Sequence, residues 1–337
     1  MNRIPHGWIG LALALVLSFA APAYAADAPA AAADPVAATV AESLKQDAVC
    51  TRCHDEMAAK PLLSIYQTRH GVKADSRTPT CQSCHGKSEK HRAGAGEEAG
   101  STRPAPDIVF KTDHTVTPAS DSRLQAETCL ACHKAGKRVH WGGSQHEVNG
   151  VACGACHSVH VKSDPVLTKV SQPEVCFSCH KTERAQTHRL STHPLAAGKM
   201  SCSDCHNPHG TTGPKLLAKN SVNDTCYTCH AEKRGPFLWE HGPVIDDCTN
   251  CHTPHGSTQA PLLKQRPPLL CQQCHSGDHG AQLNSGANLA NGNLTTVNGV
   301  NPVANAAARA QLTGRACLNC HILVHGSNHP AGSKFQR

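Results

Sequence analysis

The sequence predicts a chain of short helices and loops, with little regular secondary structure, built around something other than its own side chains. Three observations predict it. Leu, Ile, Val and Phe number 25, 6, 21 and 5, about 17% of the 337 residues, and aromatics are 3%; below roughly 20% for those four types a chain usually fails to fold. The 26 Gly and 22 Pro punctuate the connections and make long strands improbable. Against disorder stand 20 Cys and 25 His. The same counts exclude an ordinary enzyme with a self-sufficient core: a non-protein group must fill the interior.

The N-terminus is set apart from the fold. Arg3, the apolar run from Trp8 to Ala21 and the segment Pro22-Ala23-Tyr24-Ala25 have the form of a secretory signal peptide. The run is shorter than the roughly 20 residues of a spanning helix. The expected organisation is a signal peptide over 1–25, a flexible Ala/Pro-rich leader over 26–45, and one domain over 46–337. The mature chain is expected outside the cytoplasm.

The cysteines form ten C-x-x-C-H motifs with none left over. They are Cys50, Cys53 and His54; Cys81, Cys84 and His85; Cys129, Cys132 and His133; Cys153, Cys156 and His157; and Cys176, Cys179 and His180. Then follow Cys202, Cys205 and His206; Cys226, Cys229 and His230; Cys248, Cys251 and His252; Cys271, Cys274 and His275; and Cys317, Cys320 and His321. Ten chance histidines in that position have a probability on the order of 10⁻¹¹, so the motif reads as c-type haem attachment. Two thiols two residues apart reach two vinyl groups on one side of a porphyrin, and the following imidazole becomes the proximal iron ligand. Zinc ribbons and disulfide frameworks use paired cysteines but leave ten histidines unexplained. The expected fold class is therefore a multihaem cytochrome c, an elongated haem-stacked wire with ten covalent haems.

Haem also changes the charge argument. The formal charge of +7 could point to an anionic partner, but ten bis-imidazole ferric haems with their propionates bring the mature protein to about −4. The basic residues read as propionate partners, and nucleic acid is not expected.

The sixth iron position decides between carrier and catalyst, because a second His closes it. Motif starts lie 22 to 26 residues apart from Cys129 to Cys271, and pairs of motifs form a repeat. Each repeat has a His between its two motifs and another shortly after the second: His70 and His91, His146 and His160, His193 and His209, His241 and His255. A His three residues beyond a proximal ligand can hardly reach round to the distal face of its own haem, so it is assigned to a neighbouring one. The last repeat departs from the pattern and leaves His279, His325 and His329 as candidates, one too many. His114, His140 and His188 are extra to the repeat and read as surface residues. Two inserts, Arg92–Glu127 and Gly280–Arg315, interrupt the spacing. Each motif is expected on a short helical turn begun by Asp, Ser or Thr, with each repeat contacting mainly its neighbours.

The run SVNDTCYTCHAEKRGPFLWEHGPV (Ser221–Val244), followed by CTNCHTPHGS, LLCQQCHSGDHG and GRACLNCHILVHGSNHP, resembles the MtrA/DmsE family of periplasmic decahaem cytochromes. The resemblance covers essentially 50–337, is closer in the C-terminal half, and fits MtrA- or MtoA-like members best. It implies bis-His haems with His70, His91, His146, His160, His193, His209, His241 and His255 as distal ligands. It further implies that the chain plugs an outer-membrane β-barrel of the MtrB type. There it would pass electrons between periplasmic or inner-membrane c-type cytochromes and an outer-surface multihaem cytochrome or mineral, in Fe(III) respiration or Fe(II) oxidation. A soluble periplasmic carrier feeding a reductase, such as dimethyl sulfoxide reductase, needs the same motifs. A multihaem reductase, the third class, would show an open iron position. The expectation is an electron carrier, not an enzyme.

Overall fold

The computed structural model describes residues 35–56, 61–72, 75, 77–94, 103–111, 118–275 and 317–335. The signal-peptide segment, His114, His279 and the whole of the second insert lie outside them. Among the described residues the chain forms short helices and single 3-10 turns joined by loops, and strand pairing is limited to isolated antiparallel bridges. The longest helix, Pro35–Thr51, starts inside the segment expected as a leader. Its Ala-rich sequence has high helix propensity and Pro35 occupies the first helical position, where a missing N–H costs nothing.

Local chemistry sets the remaining helices. Thr80 caps Cys81–His85 in a reciprocal capping box with Ser83, Ser221 accepts from the Asp224 N–H ahead of Val222–Tyr227, and Asp247 accepts from the Thr249 N–H ahead of the Cys248–Asn250 turn. These caps satisfy orphan donors that each short turn would otherwise leave exposed.

A second polar device joins the two motifs of a repeat. Asp47, three residues before Cys50 and 2% exposed, accepts the Cys81 N–H at 2.8 Å. Asn223, three residues before Cys226, accepts the Cys248 N–H at 2.7 Å and donates to the Val244 and Ile245 carbonyls. Gln172, four residues before Cys176, accepts the Ser203 N–H at 2.9 Å. In three of the repeats a polar side chain ahead of the first motif, buried for Asp47 and Asn223 and half-buried for Gln172, thus holds the start of the second.

Neighbouring repeats meet at loops that carry a His-Gly pair. A Cβ at Gly210 would sit 2.0 Å from the His140 carbonyl oxygen, and one at Gly256 would sit 2.1 Å from that of Gln186. Both glycines have positive φ, +106° and +150°, so the approach demands Gly twice over. Antiparallel bridges Ser191–Ser257 and Trp239–Ser327 continue the same contacts.

The apolar core is nearly absent. Among the described residues the buried hydrophobic side chains are Ala126, Trp141, Ala152, Phe177 and Leu263. Five such side chains fall far short of a core for a chain this long. A continuous cavity of about 5740 Å³ occupies the place instead. That is the volume of roughly ten ordinary cofactor pockets of 300–1,000 Å³ each.

Candidate haem-binding site

The motif geometry follows from one helical turn. In every motif the His N–H and the first Cys carbonyl are four residues apart, and that bond forms at 2.9–3.1 Å in His54, His133, His157, His180, His206, His230, His252, His275 and His321. His85 lies in the helix Cys81–His85. Residues at i, i+3 and i+4 share one helix face, so both thiols and the imidazole of each motif point the same way. All 20 cysteines line the cavity, together with 19 histidines. His140, His188 and His329 do not line it; His140 and His188 are exposed.

Nine pairs of these imidazoles face each other. Ring centroids lie 6.1 Å apart in His54–His91, 5.9 Å in His70–His133, 6.2 Å in His85–His160, 6.2 Å in His146–His180 and 6.1 Å in His157–His209. The others are His193–His230 at 6.4 Å, His206–His255 at 6.1 Å, His241–His275 at 6.1 Å and His252–His325 at 6.2 Å. Interplanar angles range from 7° to 85°, so the rings are not held by stacking. Two imidazole–metal bonds of about 2.0–2.1 Å, with roughly 1.1 Å from each nitrogen to its ring centre, require about 6 Å between centroids. Each gap admits one metal ion.

Every pair joins the His of a C-x-x-C-H motif to a His outside the motifs, and the pairing crosses repeats in two directions. His70, His146, His193 and His241, each between the two motifs of its repeat, face the first motif of the next repeat. His160, His209, His255 and His325, each after the second motif, face the second motif of the repeat before. Among the described residues only His54–His91 closes within one repeat.

Tautomers are fixed by the second partner of each ring. His85, His91, His146, His160, His193, His206, His241 and His252 each place Nδ1 2.7–3.0 Å from a backbone carbonyl, and His321 does the same with the Lys334 carbonyl. His157 uses the Asp164 carboxylate at 2.7 Å. A carbonyl or carboxylate can only accept, so Nδ1 carries the proton and Nε2 keeps its lone pair for a metal. At three repeat junctions the acceptor is the residue just ahead of the His that crosses the same junction in the other direction: Pro208 before His209 for His146, Pro254 before His255 for His193 and Val324 before His325 for His241. His329 is the opposite case: its Nδ1 accepts the Ala331 N–H at 3.1 Å, which puts the proton on Nε2. Burial pushes His209 down to about 4 and lowers His85, His252, His255 and His325 as well. These rings are neutral at physiological pH, the form that ligates.

The donor set identifies the group. Two imidazoles supply an axis, and among the described residues no three His, Cys, Asp or Glu side chains converge on one point. The equatorial ligands must come from the group itself, as in a porphyrin. Burial and the neighbouring Cys248 push the Cys226 thiol up to about 12, and burial raises Cys156, Cys205 and Cys251, while hydrogen bonds from Cys129 and Cys176 lower Cys153 and Cys202. First cysteines meet within a repeat, as Cys129 with Cys153, Cys176 with Cys202, Cys226 with Cys248 and Cys271 with Cys317. The attachment points of two haems therefore lie side by side. The residues fit covalent haem.

Comparison with known proteins gives the same chemistry. A family described as Doubled CXXCH motif matches residues 193–235 and 241–280, and one described as Cytochrome c-type protein NrfB-like matches 81–172. The chain is 45% identical over 292 residues to Multiheme cytochrome MtrA of Shewanella baltica, covering 86% of this chain and 80% of that one. It is also similar to Cytochrome c-type protein NrfB of Escherichia coli, 27% identical over 46% of this chain and 77% of the relative. With the High-molecular-weight cytochrome c of Nitratidesulfovibrio vulgaris it shares 24% identity, over 50% of this chain and 27% of that protein.

Proposed function

The chain belongs to the MtrA family of multihaem c-type cytochromes, electron-transfer proteins with covalently bound haem, and on that premise we propose that it is a ten-haem conduit across an outer membrane. The observation that carries the reading is the set of nine facing imidazole pairs, eight of which join one repeat to the next.

All 20 motif cysteines hold haem, and the ten motif histidines are the proximal ligands. His70, His91, His146, His160, His193, His209, His241, His255 and His325 are nine of the distal ligands. The tenth motif, at His321, takes His279. In sequence His279 holds the place of His70, His146, His193 and His241, between the motifs of its repeat, while His329 carries its proton on the nitrogen that would have to ligate. The two ends then mirror each other: a ligand with no further repeat to serve turns back to its own.

Bound haem iron supplies one-electron Fe(III)/Fe(II) chemistry. The facing imidazoles would hold that iron from both sides, which would leave no open position for substrate and would favour transfer over catalysis. Its Nδ1 donors fix the ligand planes, and the paired cysteines bring consecutive groups close.

Among the described residues no helix is long and apolar enough to cross a membrane. Passage would need a sheath, and a large β-barrel with a polar lumen provides one. Ten macrocycles of helix-like width, about 10 Å each, would reach past a bilayer of roughly 40–45 Å. The proposed partners are an MtrB-type barrel, periplasmic or inner-membrane c-type cytochromes on one side and an outer-surface multihaem cytochrome on the other, for extracellular Fe(III) or Fe(II) chemistry. The chain is thus exported by the signal peptide over 1–25, followed by the leader over 26–45, and the domain over 46–337 is five two-haem repeats. Fractionation tests the reading: the protein is expected in outer membranes, co-purifying with a large barrel. Recovery wholly in the soluble periplasmic fraction, free of any barrel, overturns the conduit and leaves a soluble carrier.

A further inference from the structure

Among the described residues three side chains bury a polar atom with no partner: Gln125 at Oε1, Arg138 at Nε and Trp141 at Nε1. Gln125 does not line the haem cavity; Arg138 and Trp141 both do. Both orphans on the cavity wall are donors. They belong to a single turn, in which the Trp141 N–H donates to the Arg138 carbonyl at 3.0 Å. Trp141 is only 8% exposed.

The turn is fixed against one particular site. Asn207 donates to the Lys137 carbonyl at 2.8 Å, Gly210 packs on the His140 carbonyl, and the Trp141 ring lies 6.3 Å from that of His209. His209 in turn faces His157. The Trp141 donor therefore stands beside the haem held between His157 and His209, and the Arg138 guanidinium acts on His209 as well as on His133.

A buried N–H without a partner is destabilising, and more so when it belongs to a charged group. Two of them, one on a guanidinium, call for an acceptor that carries negative charge. Covalent haem brings two carboxylates of its own. We propose that Arg138 and Trp141 form a cradle for a propionate of the haem between His157 and His209, and that this cradle raises the potential of that haem. Arg138 contributes a charge-assisted bond and Trp141 a neutral one. Neutralising a propionate favours the reduced iron, whose charge is one unit lower.

The inference rests on the haem reading, and haem content separates the two. Arg138→Gln, Arg138→Lys and Trp141→Phe are to be purified as holoprotein, counted for haem and titrated spectroelectrochemically. Ten haems in each variant uphold the haem reading. With Arg138→Gln, about one tenth of the absorbance change is expected to become tenfold harder to reduce, a negative shift of about 59 mV for one electron. Arg138→Lys should restore most of it, which a packing defect would not allow. Trp141→Phe, which keeps the ring and removes the donor, should shift the same fraction by about threefold. Titration curves of Arg138→Gln and Trp141→Phe that superimpose on the parent overturn the cradle. If Arg138→Gln fails to accumulate, an unshifted Trp141→Phe protein overturns it alone.

Discussion

The interior repeats and the N-terminal repeat use the same motifs in different ways. Between Cys129 and His275 every described imidazole pair reaches into a neighbouring repeat, His146 forward to His180 and His209 back to His157. The N-terminal repeat also closes one pair on itself, His54 with His91. Interior haems are thus crosslinks between repeats as well as cofactors. The pair His54–His91 closes as long a stretch of chain as His146–His180 or His241–His275, but it fastens no second repeat. The difference teaches that the stability of this protein is carried by ligand exchange between repeats, in the way that a metal holds a small domain.

The sharpest way to break the comparison is to delete haems. Replacing Cys226 and Cys229 by Ala removes an attachment between two interior repeats, and we expect loss of soluble holoprotein. Replacing Cys50 and Cys53 should leave a folded nine-haem protein. Intact mass and the Soret band of purified material distinguish them, and equal yields of nine-haem protein from both would contradict the crosslink argument.

Removing one distal ligand is gentler. His209→Ala and His91→Ala should each create a single high-spin haem that binds carbon monoxide when reduced. The interior variant should melt at lower temperature because it also frees a repeat junction. Equal melting temperatures would show that the ligand, not the crosslink, matters.

Backbone contact at the junctions gives a third contrast. Gly256→Ala meets both a positive φ and the Gln186 carbonyl, so its cost should exceed the ~1–2 kcal/mol of a left-handed residue alone. Gly332, φ +84°, has open space where a Cβ would go, and Gly332→Ala should cost only about 1–2 kcal/mol. Denaturant titration measures both.

The polar staples within a repeat give an effect comparable to that of Gly332→Ala, and the surface histidines give the smallest. Asn223→Ala leaves the Cys248 N–H and two carbonyls without their partner, for an expected loss of about 1–3 kcal/mol. His188→Ala, on an exposed ring outside the cavity, should change neither stability nor spectrum.

Much of this was legible in the chain. Spacing alone fixes where haem attaches, because one helical turn presents Cys, Cys and His on one face. The His three residues past a proximal ligand had to serve another haem for steric reasons, and His160, His209 and His255 do face other motifs. Which motif each faces was not readable, since local sequence says nothing of the direction in which repeats interlock. His325 could not be separated from His329 by spacing; a backbone N–H on the Nδ1 of His329 separates them. The staples Asp47, Gln172 and Asn223 were also missed. A polar residue three or four positions before a motif is a faint signal, visible only once repeats are superimposed. The Pro35–Thr51 helix was hidden by an Ala/Pro composition that suits a tether as well as a helix.

The central claim is that ten bis-histidine haems replace the hydrophobic core. Its most direct test is the electron paramagnetic resonance spectrum of fully oxidised protein, taken on material whose haem content has been measured. The account predicts ten haems per chain, all ferric low-spin. A high-spin signal worth one haem or more, or fewer than ten haems in a folded chain, would contradict it.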